Sequence, residues 1–589
     1  MTRMTSLYPQ ENAYRQRRDL SGFWDFCFDP EDAGVARGFP SGLARGGAEG
    51  VRPIAVPGSY NEQLEEGRDY LGPVWYETSF DLPWGWEGRR VGLRFGSVGY
   101  HASVWLNGQK LGEHEGGHLP FSLDATGAVR REKNRLVVRV EAELRPDRVP
   151  PGNVSKDPAD GFGGQSYPAT AYDFFPYAGI QRPVLLFTLP AGAVSDLTVT
   201  TPLDGNRARV RVSLEADADG VRATALLSGF GAEARSEATV TRGRAEIELA
   251  VASPRLWAPG EPHLYELAVL LERNGAEYDR VTLPVGLRTV AVDGSTLLLN
   301  GRPLYLRGFG RHEDFPVAGR GLVPPVVIKD FSLMRWIGAN SFRTTHYPYS
   351  DEMMDLADRL GFLVIDEIPA VGLFFDEAGL ERRLALSRQM IEELVQRDKN
   401  RPSVIAWSLA NEPHSHRPAA QGFFADLARR TRELDPTRLV TLVSYIGEAE
   451  QALELCDLVC LNRYRGWYTE SGRIADGVRL LSEELDRIHA RFAKPVVLSE
   501  FGADAVPGLH AEPPEMFTEE YQSELIESYV ALLRTKPYVV GEHVWNLADF
   551  KTAQGVQRVG GINYKGVFTR DRRPKQAARR LREIWRSRS

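Results

Sequence analysis

The sequence predicts a multidomain β plus α/β chain in three parts: an N-terminal jelly-roll β-sandwich over 1–190, an immunoglobulin-like β-sandwich over 191–288, and a C-terminal (β/α)8 TIM barrel over 289–589. Three observations predict it. The first part is rich in Gly, Pro and aromatic residues and has no helical period. The second alternates apolar and polar residues with a period of two. In the third, short β-rich runs alternate with helical patterns.

Each part can be read in order. In the first, Trp75, Tyr76, Thr78 and Phe80 share one strand-length run. HASVWLNGQKLGEHEGG reads as a hairpin, because Asn107-Gly108 is a two-residue turn signal between apolar flanks. In the second, RARVRVSLEADAD, RAEIELAV and YELAVLLER carry the alternation at the spacing of a small sandwich. In the third, the strand candidates are 303–309, 339–345, 362–367, 403–409, 438–444, 457–462, 495–500 and 538–545. About eight helical patterns lie among them, several closed by Asn or Gly, which suit helix C-termini.

Bulk properties narrow the function. The chain has 589 residues, a net charge of −7, 42% hydrophobic and 26% charged residues. That is ordinary soluble composition, without the basic face that nucleic acid or an anionic membrane favours. Three cysteines, Cys27, Cys456 and Cys460, argue against a disulfide framework and for a reducing compartment. The first twenty residues lack the apolar stretch of a secretory signal, and no run of 18 apolar residues occurs, so a cytoplasmic location is expected. His414-x-His416 is only a pair, and no HExxH, phosphate-binding glycine loop or G-x-S-x-G elbow is present, so no metal and no cofactor is expected.

In a barrel of this kind chemistry sits at the C-terminal ends of the strands. Those ends carry Arg311-His312-Glu313-Asp314, Thr344-Thr345-His346-Tyr347, Asp366-Glu367, Asn411-Glu412, Asn462-Arg463-Tyr464, Glu500-Phe501-Gly502 and Trp545-Asn546. Glu412 closes strand four and Glu500 closes strand seven, across the mouth from each other. A lone glutamate after a strand is most often a solvated rim charge. Two that converge are what glycosidic cleavage needs: one protonates the leaving oxygen, and the other attacks the anomeric carbon or activates water.

The blocks GRDYLGPVWYETSF, NGRPLYLRGFGRHED, FRTTHYPYSDEMMDLAD, VIDEIPAVG, DKNRPSVIAWSLANEP, NRYRGWY, SEFGADAVPGLH, VWNLADF and GVFTRDRRPK stand in order along nearly the whole chain. Together they resemble the family-two glycoside hydrolases, and within them the β-glucuronidases. The resemblance implies Glu412 as general acid/base, Glu500 as nucleophile and a retaining mechanism, with carboxyl groups about 5–5.5 Å apart. Glu412 is then expected to have a raised pKa and Glu500 to stay ionised, oriented by Tyr464. Asn411 is expected at the sugar 2-hydroxyl.

The sugar is read from VGGINYKGVFTRD. Asn563-Tyr564-Lys565 resembles the Asn-x-Lys pair of glucuronidases, an amide and an ammonium for a C6 carboxylate. A neutral sugar is expected to leave Lys565 unpaired. GGINYKG is one residue longer between the glycine pair and Asn563 than the family form. By resemblance Arg558, Tyr468, Asp173 and His346 join the substrate site; Asn462 is a further candidate there, Trp545 is expected as a platform for a sugar face, and His312 as structural or one layer behind the site. The loop after strand three runs quickly into helix, which implies an open aglycone side. A β-glucuronide, small or oligosaccharide, is the expected partner, and a homo-oligomer, dimer or tetramer, the expected assembly. Rival readings are a β-galacturonidase, a β-galactosidase or β-mannosidase, and a non-catalytic carbohydrate-binding protein.

Overall fold

The computed structural model describes residues 4–153, 166–375 and 378–587. In the N-terminal part a six-stranded and a four-stranded antiparallel sheet face each other. Between them lies an apolar core that includes Trp24, Phe26, Tyr76, Val104 and Val138. The predicted hairpin joins His101–Leu106 to Gln109–Glu115. Its turn residues Asn107 and Gly108 both have positive φ, 56° and 86°, as a tight hairpin turn requires.

The middle part is two four-stranded sheets. Arg207–Ala216 buries every second residue, and its Val210, Val212 and Leu214 meet Ile247 and Leu249 in the core. Period-two patterning thus becomes a one-sided sheet whose outer face is charged.

Eight parallel strands then close a barrel. They are Leu306–Gly310, Ser341–Arg343, Leu363–Glu367, Val404–Asn411, Leu439–Ser444, Val459–Asn462, Val496–Glu500 and Val539–Val544. All eight residues of Val404–Asn411 are buried, which is why that strand reads as one apolar run rather than an alternation. The helices start and stop on local signals. Ser350 and Thr518 cap two N-termini by accepting from the backbone N–H of Met353 and Tyr521. Gly338 and Gly361 end two helices in the left-handed conformation. The helix count departs from expectation. From Pro324 onward the described residues hold seven α-helices, and after the fifth strand two short 3-10 turns, Gly447–Ala449 and Ala452–Leu455, stand in for a helix. Among the described residues no helix is long and apolar enough to cross a membrane.

Buried ion pairs tie the parts together: Arg15–Asp279 at 2.7 Å, Arg94–Asp351 at 3.0 Å and Arg182–Glu313 at 3.0 Å. One segment of the sandwich crosses to the barrel mouth. Tyr167 exchanges backbone hydrogen bonds with Gln554, and the Phe175 N–H donates to the Lys551 carbonyl. Phe174 joins the barrel core beside His346 and Tyr347. Asp173 is therefore anchored over the strand ends from a different domain.

Candidate active site

A cleft of about 480 Å³ opens at the C-terminal ends of the barrel strands. Of the residues expected at the substrate site, Asp173, His346, Asn411, Glu412, Asn462, Tyr464, Tyr468, Glu500, Trp545, Arg558 and Asn563 line it. Lys565 does not; it lies behind the wall, fully buried.

Glu412 follows directly on the fourth strand in the left-handed region, with φ at 48°. That conformation costs a non-glycine residue roughly 1–3 kcal/mol and is characteristic of functional sites. Backbone hydrogen bonds fix it: the Glu412 N–H donates to Val443, and the Asn411 N–H donates to Ala370. The Glu412 Oε1 accepts from Asn462 Nδ2 at 2.8 Å. Asn462 also donates to the Asn411 side chain at 3.1 Å. Burial pushes the Glu412 carboxyl up, as expected, and the carboxylate that adds to the effect is Asp173.

Glu500 ends the seventh strand and is held from two sides. Tyr464 donates its hydroxyl to Oε2 at 2.7 Å, the orienting contact expected of it. Arg343, at the tip of the second strand, donates to Oε1. The same guanidinium spans Glu367 at 2.8 Å and reaches Asn411 Oδ1 at 3.2 Å. Glu500 is expected to stay ionised, and its surroundings pull both ways. Burial pushes its carboxyl up to about 8; Arg343 and Tyr464 pull it down, and Glu412 pushes the same way as burial. Two carboxyls that line one cleft disfavour each other's ionisation.

His346 Nδ1–H donates to Glu367 Oε1 at 3.1 Å, and the ring stacks on Trp545, with ring centroids 5.1 Å apart. Burial holds its pKa down, so the imidazole is neutral and available for hydrogen bonding. His312 lies beneath, buried against Phe550 and bonded to the Tyr347 hydroxyl at 3.0 Å, the structural position expected of it.

The opposite end of the cleft is a network of ions. Arg558 donates through Nε and Nη2 to both oxygens of Asp173, and to the Tyr468 hydroxyl at 2.9 Å. Asn563 Nδ2 also donates to Asp173, at 2.9 Å. Lys565 Nζ donates to Asp504 and to the Tyr468 hydroxyl, the latter at 2.9 Å. Its Nζ also lies 4.8 Å from the centre of the Tyr468 ring and 5.4 Å from that of Trp467. Lys565 is thus paired before any ligand arrives, contrary to the sequence expectation. A bare ammonium is too costly to bury, and the chain supplies its own counterion. Lys565 and Arg558 outweigh burial and hold the Asp504 carboxyl below its ordinary range. The lengthened glycine turn does not displace Arg558, which lines the cleft.

Sequence reasoning missed Arg343, Glu367 and Asp504 as working parts. The signal for Glu367 was a charge at the tip of the apolar run FLVIDE, whereas Arg343 sits inside the polar run ANSFRTT and carries no such mark. For Asp504, four residues past Glu500, no local pattern marks it. His414 and Tyr445, with Val371 and Gly372, form the cleft wall beyond Glu412. The loop behind that wall does move quickly into helix, at Leu380–Asp398; its Asp376 and Glu377 lie outside the described residues. Cys27, Cys456 and Cys460 are buried free thiols.

A barrel with two carboxyls at its mouth, preceded by two sandwiches, defines a glycosidase class, and family comparison agrees. Residues 290–588 match the TIM barrel domain of glycosyl hydrolases family 2, 17–190 its sugar binding domain, and 193–288 a further glycosyl hydrolases family 2 model. The chain belongs to glycosyl hydrolases family 2. A beta-glucuronidase of Paenibacillus borealis is 41% identical over 98% of both chains. That of Canis lupus familiaris is 41% identical over 98% of this chain and 92% of its own. Among solved structures, the β-glucuronidase of Ruminococcus gnavus in complex with D-glucuronic acid superposes with a TM-score of 0.91 at 37% identity, covering 99% of this chain and all of its own.

Proposed function

We propose that the chain is a retaining β-glucuronidase. It hydrolyses terminal β-D-glucuronides to D-glucuronate and an alcohol through a covalent glycosyl-enzyme. The observation that carries this reading is the convergence of Glu412 and Glu500 on one cleft whose far end presents Arg558, Asn563 and Tyr468.

In this reading Glu500 attacks the anomeric carbon while Glu412 protonates the departing oxygen. The alcohol leaves, and Glu412, now ionised, takes a proton from water as that water attacks the glycosyl-enzyme. The pair must begin with one proton, on Glu412. The donors favour that arrangement: Glu500 has a guanidinium and a phenol, and Glu412 has one neutral amide. Asn411 takes the 2-hydroxyl. Asp173 and His346 take other ring hydroxyls, Asn462 steadies Glu412, and Trp545 offers a ring face. At the far end the Tyr468 hydroxyl accepts from both Arg558 and Lys565, which leaves its own hydrogen to donate. A C6 carboxylate there meets Tyr468, Arg558 and Asn563, with the Lys565 charge behind them.

The same reading divides the chain at 1–190, 191–288 and 289–589, and takes it as a cytoplasmic homo-oligomer; three buried free thiols support a reducing compartment. The experiment is a panel of aryl β-glycosides. Glucuronide is expected to be turned over well ahead of galacturonide, galactoside and mannoside. Preference for galactoside overturns the sugar assignment, and hydrolysis of none favours the carbohydrate-binding alternative.

A further inference from the structure

At the other end of the barrel, where strands four and five begin, a second cleft of about 420 Å³ lies between the immunoglobulin-like sandwich and the barrel. Its wall includes Arg211, Arg288 and Arg438, with Asn400 and Thr437 beside them. Arg288 is 7% exposed. Its Nε donates to the Pro402 carbonyl at 2.9 Å and its Nη2 to that of Val404 at 2.5 Å. It forms no ion pair among the described residues, and its Nη1 has no hydrogen-bond partner there, although the residue lines the cleft. Every other wall cation is balanced: Arg438 by Asp435 at 2.8 Å, and Arg211 by Glu248 at 3.0 Å on the exposed rim. Burial and the like charge of Arg438 push the Arg288 guanidinium down to about 9, against the weaker pull of Asp435 and Asp358. A buried cation hydrogen-bonded only to carbonyl dipoles has lost its hydration and gained no direct ion pair, Asp435 and Asp358 acting on it only from a distance. The volume of the cleft is in the range of small-molecule sites.

We propose that this cleft is a binding site for a sugar-sized oxyanion, a carboxylate or a phosphate monoester, seated on Arg288 with Arg211 and Thr437 at its rim. Planar guanidinium donors suit both groups. The site is remote from the catalytic cleft, and it holds whether or not the chain acts on glucuronides. An anion there bridges the two domains, so by linkage it stabilises their docked arrangement.

The test uses the full chain at constant ionic strength, titrated with D-glucuronate, with glucose 6-phosphate and with glucose as the neutral control. Binding is followed by thermal melting and located in soaked crystals. Saturable stabilisation by one or both anions but not by glucose, with density against Arg288, is expected, and the anion that binds identifies the carboxylate or phosphate source. Arg288→Met is expected to abolish stabilisation by glucose 6-phosphate and any anion density in the second cleft, leaving only glucuronate bound in the catalytic cleft. Should that variant fail to fold, Arg211→Ala is expected to weaken binding about tenfold, the loss of one charge-assisted hydrogen bond. No saturation by either anion, density only in the catalytic cleft, or affinity unchanged in Arg211→Ala with no density on Arg288 overturns the site.

Discussion

The two ends of the catalytic cleft are built on different principles. The carboxyl end rests on strand tips: Arg343, Glu367, Glu412, Asn462 and Glu500 each lie at the end of a buried barrel strand or one residue beyond it. The cationic end rests on loops: Asp173 comes from the sandwich, Tyr468 and Asp504 follow strands six and seven, and Arg558 to Lys565 follow strand eight. The first is held by the sheet, and the second by ion pairs such as Arg558–Asp173, 385 residues apart in sequence. Bond breaking needs positions fixed to fractions of an ångström, which a closed sheet provides. Selecting a sugar needs a charge pattern, which loops can present without disturbing the barrel.

Four substitutions sharpen that contrast, the largest effect first. Glu500→Ala is expected to lower kcat by at least about 10⁴-fold with the far-ultraviolet circular dichroism spectrum unchanged; near-normal turnover would remove it as nucleophile. Glu412→Ala is expected to cost about 10²–10⁴-fold, with a smaller loss on aryl glucuronides whose leaving group needs no proton. A loss independent of leaving-group acidity would contradict its role as acid. Arg343→Lys is expected to cost about 10²-fold in kcat/KM. The sign of its pH effect follows from the pull of Arg343 on Glu500. Weakening a contact that lowers the Glu500 pKa raises that pKa, so the acid limb of the kcat/KM profile moves to higher pH. An unmoved limb would separate Arg343 from the ionisation of Glu500.

At the loop end the expected losses are smaller and substrate-dependent. Lys565→Ala is expected to lower kcat/KM for glucuronide by roughly 10–100-fold and to leave any neutral glycoside nearly unaffected. Because it also strands a buried Asp504, the companion variant Lys565→Met/Asp504→Asn removes both charges. Recovery of thermal stability without recovery of glucuronide turnover assigns the loss to the substrate. Equal losses on all glycosides would mean that Lys565 does not sense the C6 group.

The same contrast explains what the sequence reveals. The barrel was legible because strands buried on both faces need continuous apolar runs, and the eight candidate runs each overlap one observed strand. Glu412 and Glu500 were legible because a carboxylate at the end of such a run has no packing reason to be there. The missing fifth helix was not, since 3-10 turns carry no strong period. Nor was the pairing of Lys565 with Asp504 or of Arg558 with Asp173, because counterions distant in sequence leave no local trace. A lysine that looked unpaired along the chain proved to be balanced in space.

The central claim is that Glu500 forms a covalent bond to a uronic acid. Incubation with a 2-fluoro β-glucuronyl fluoride, followed by proteolysis and mass spectrometry, tests it directly. The predicted result is a mass gain of one fluoroglucuronyl group on the peptide containing Glu500, absent in Glu500→Ala. Labelling of a different carboxylate, or efficient labelling by the 2-fluorogalactosyl reagent instead, would contradict it.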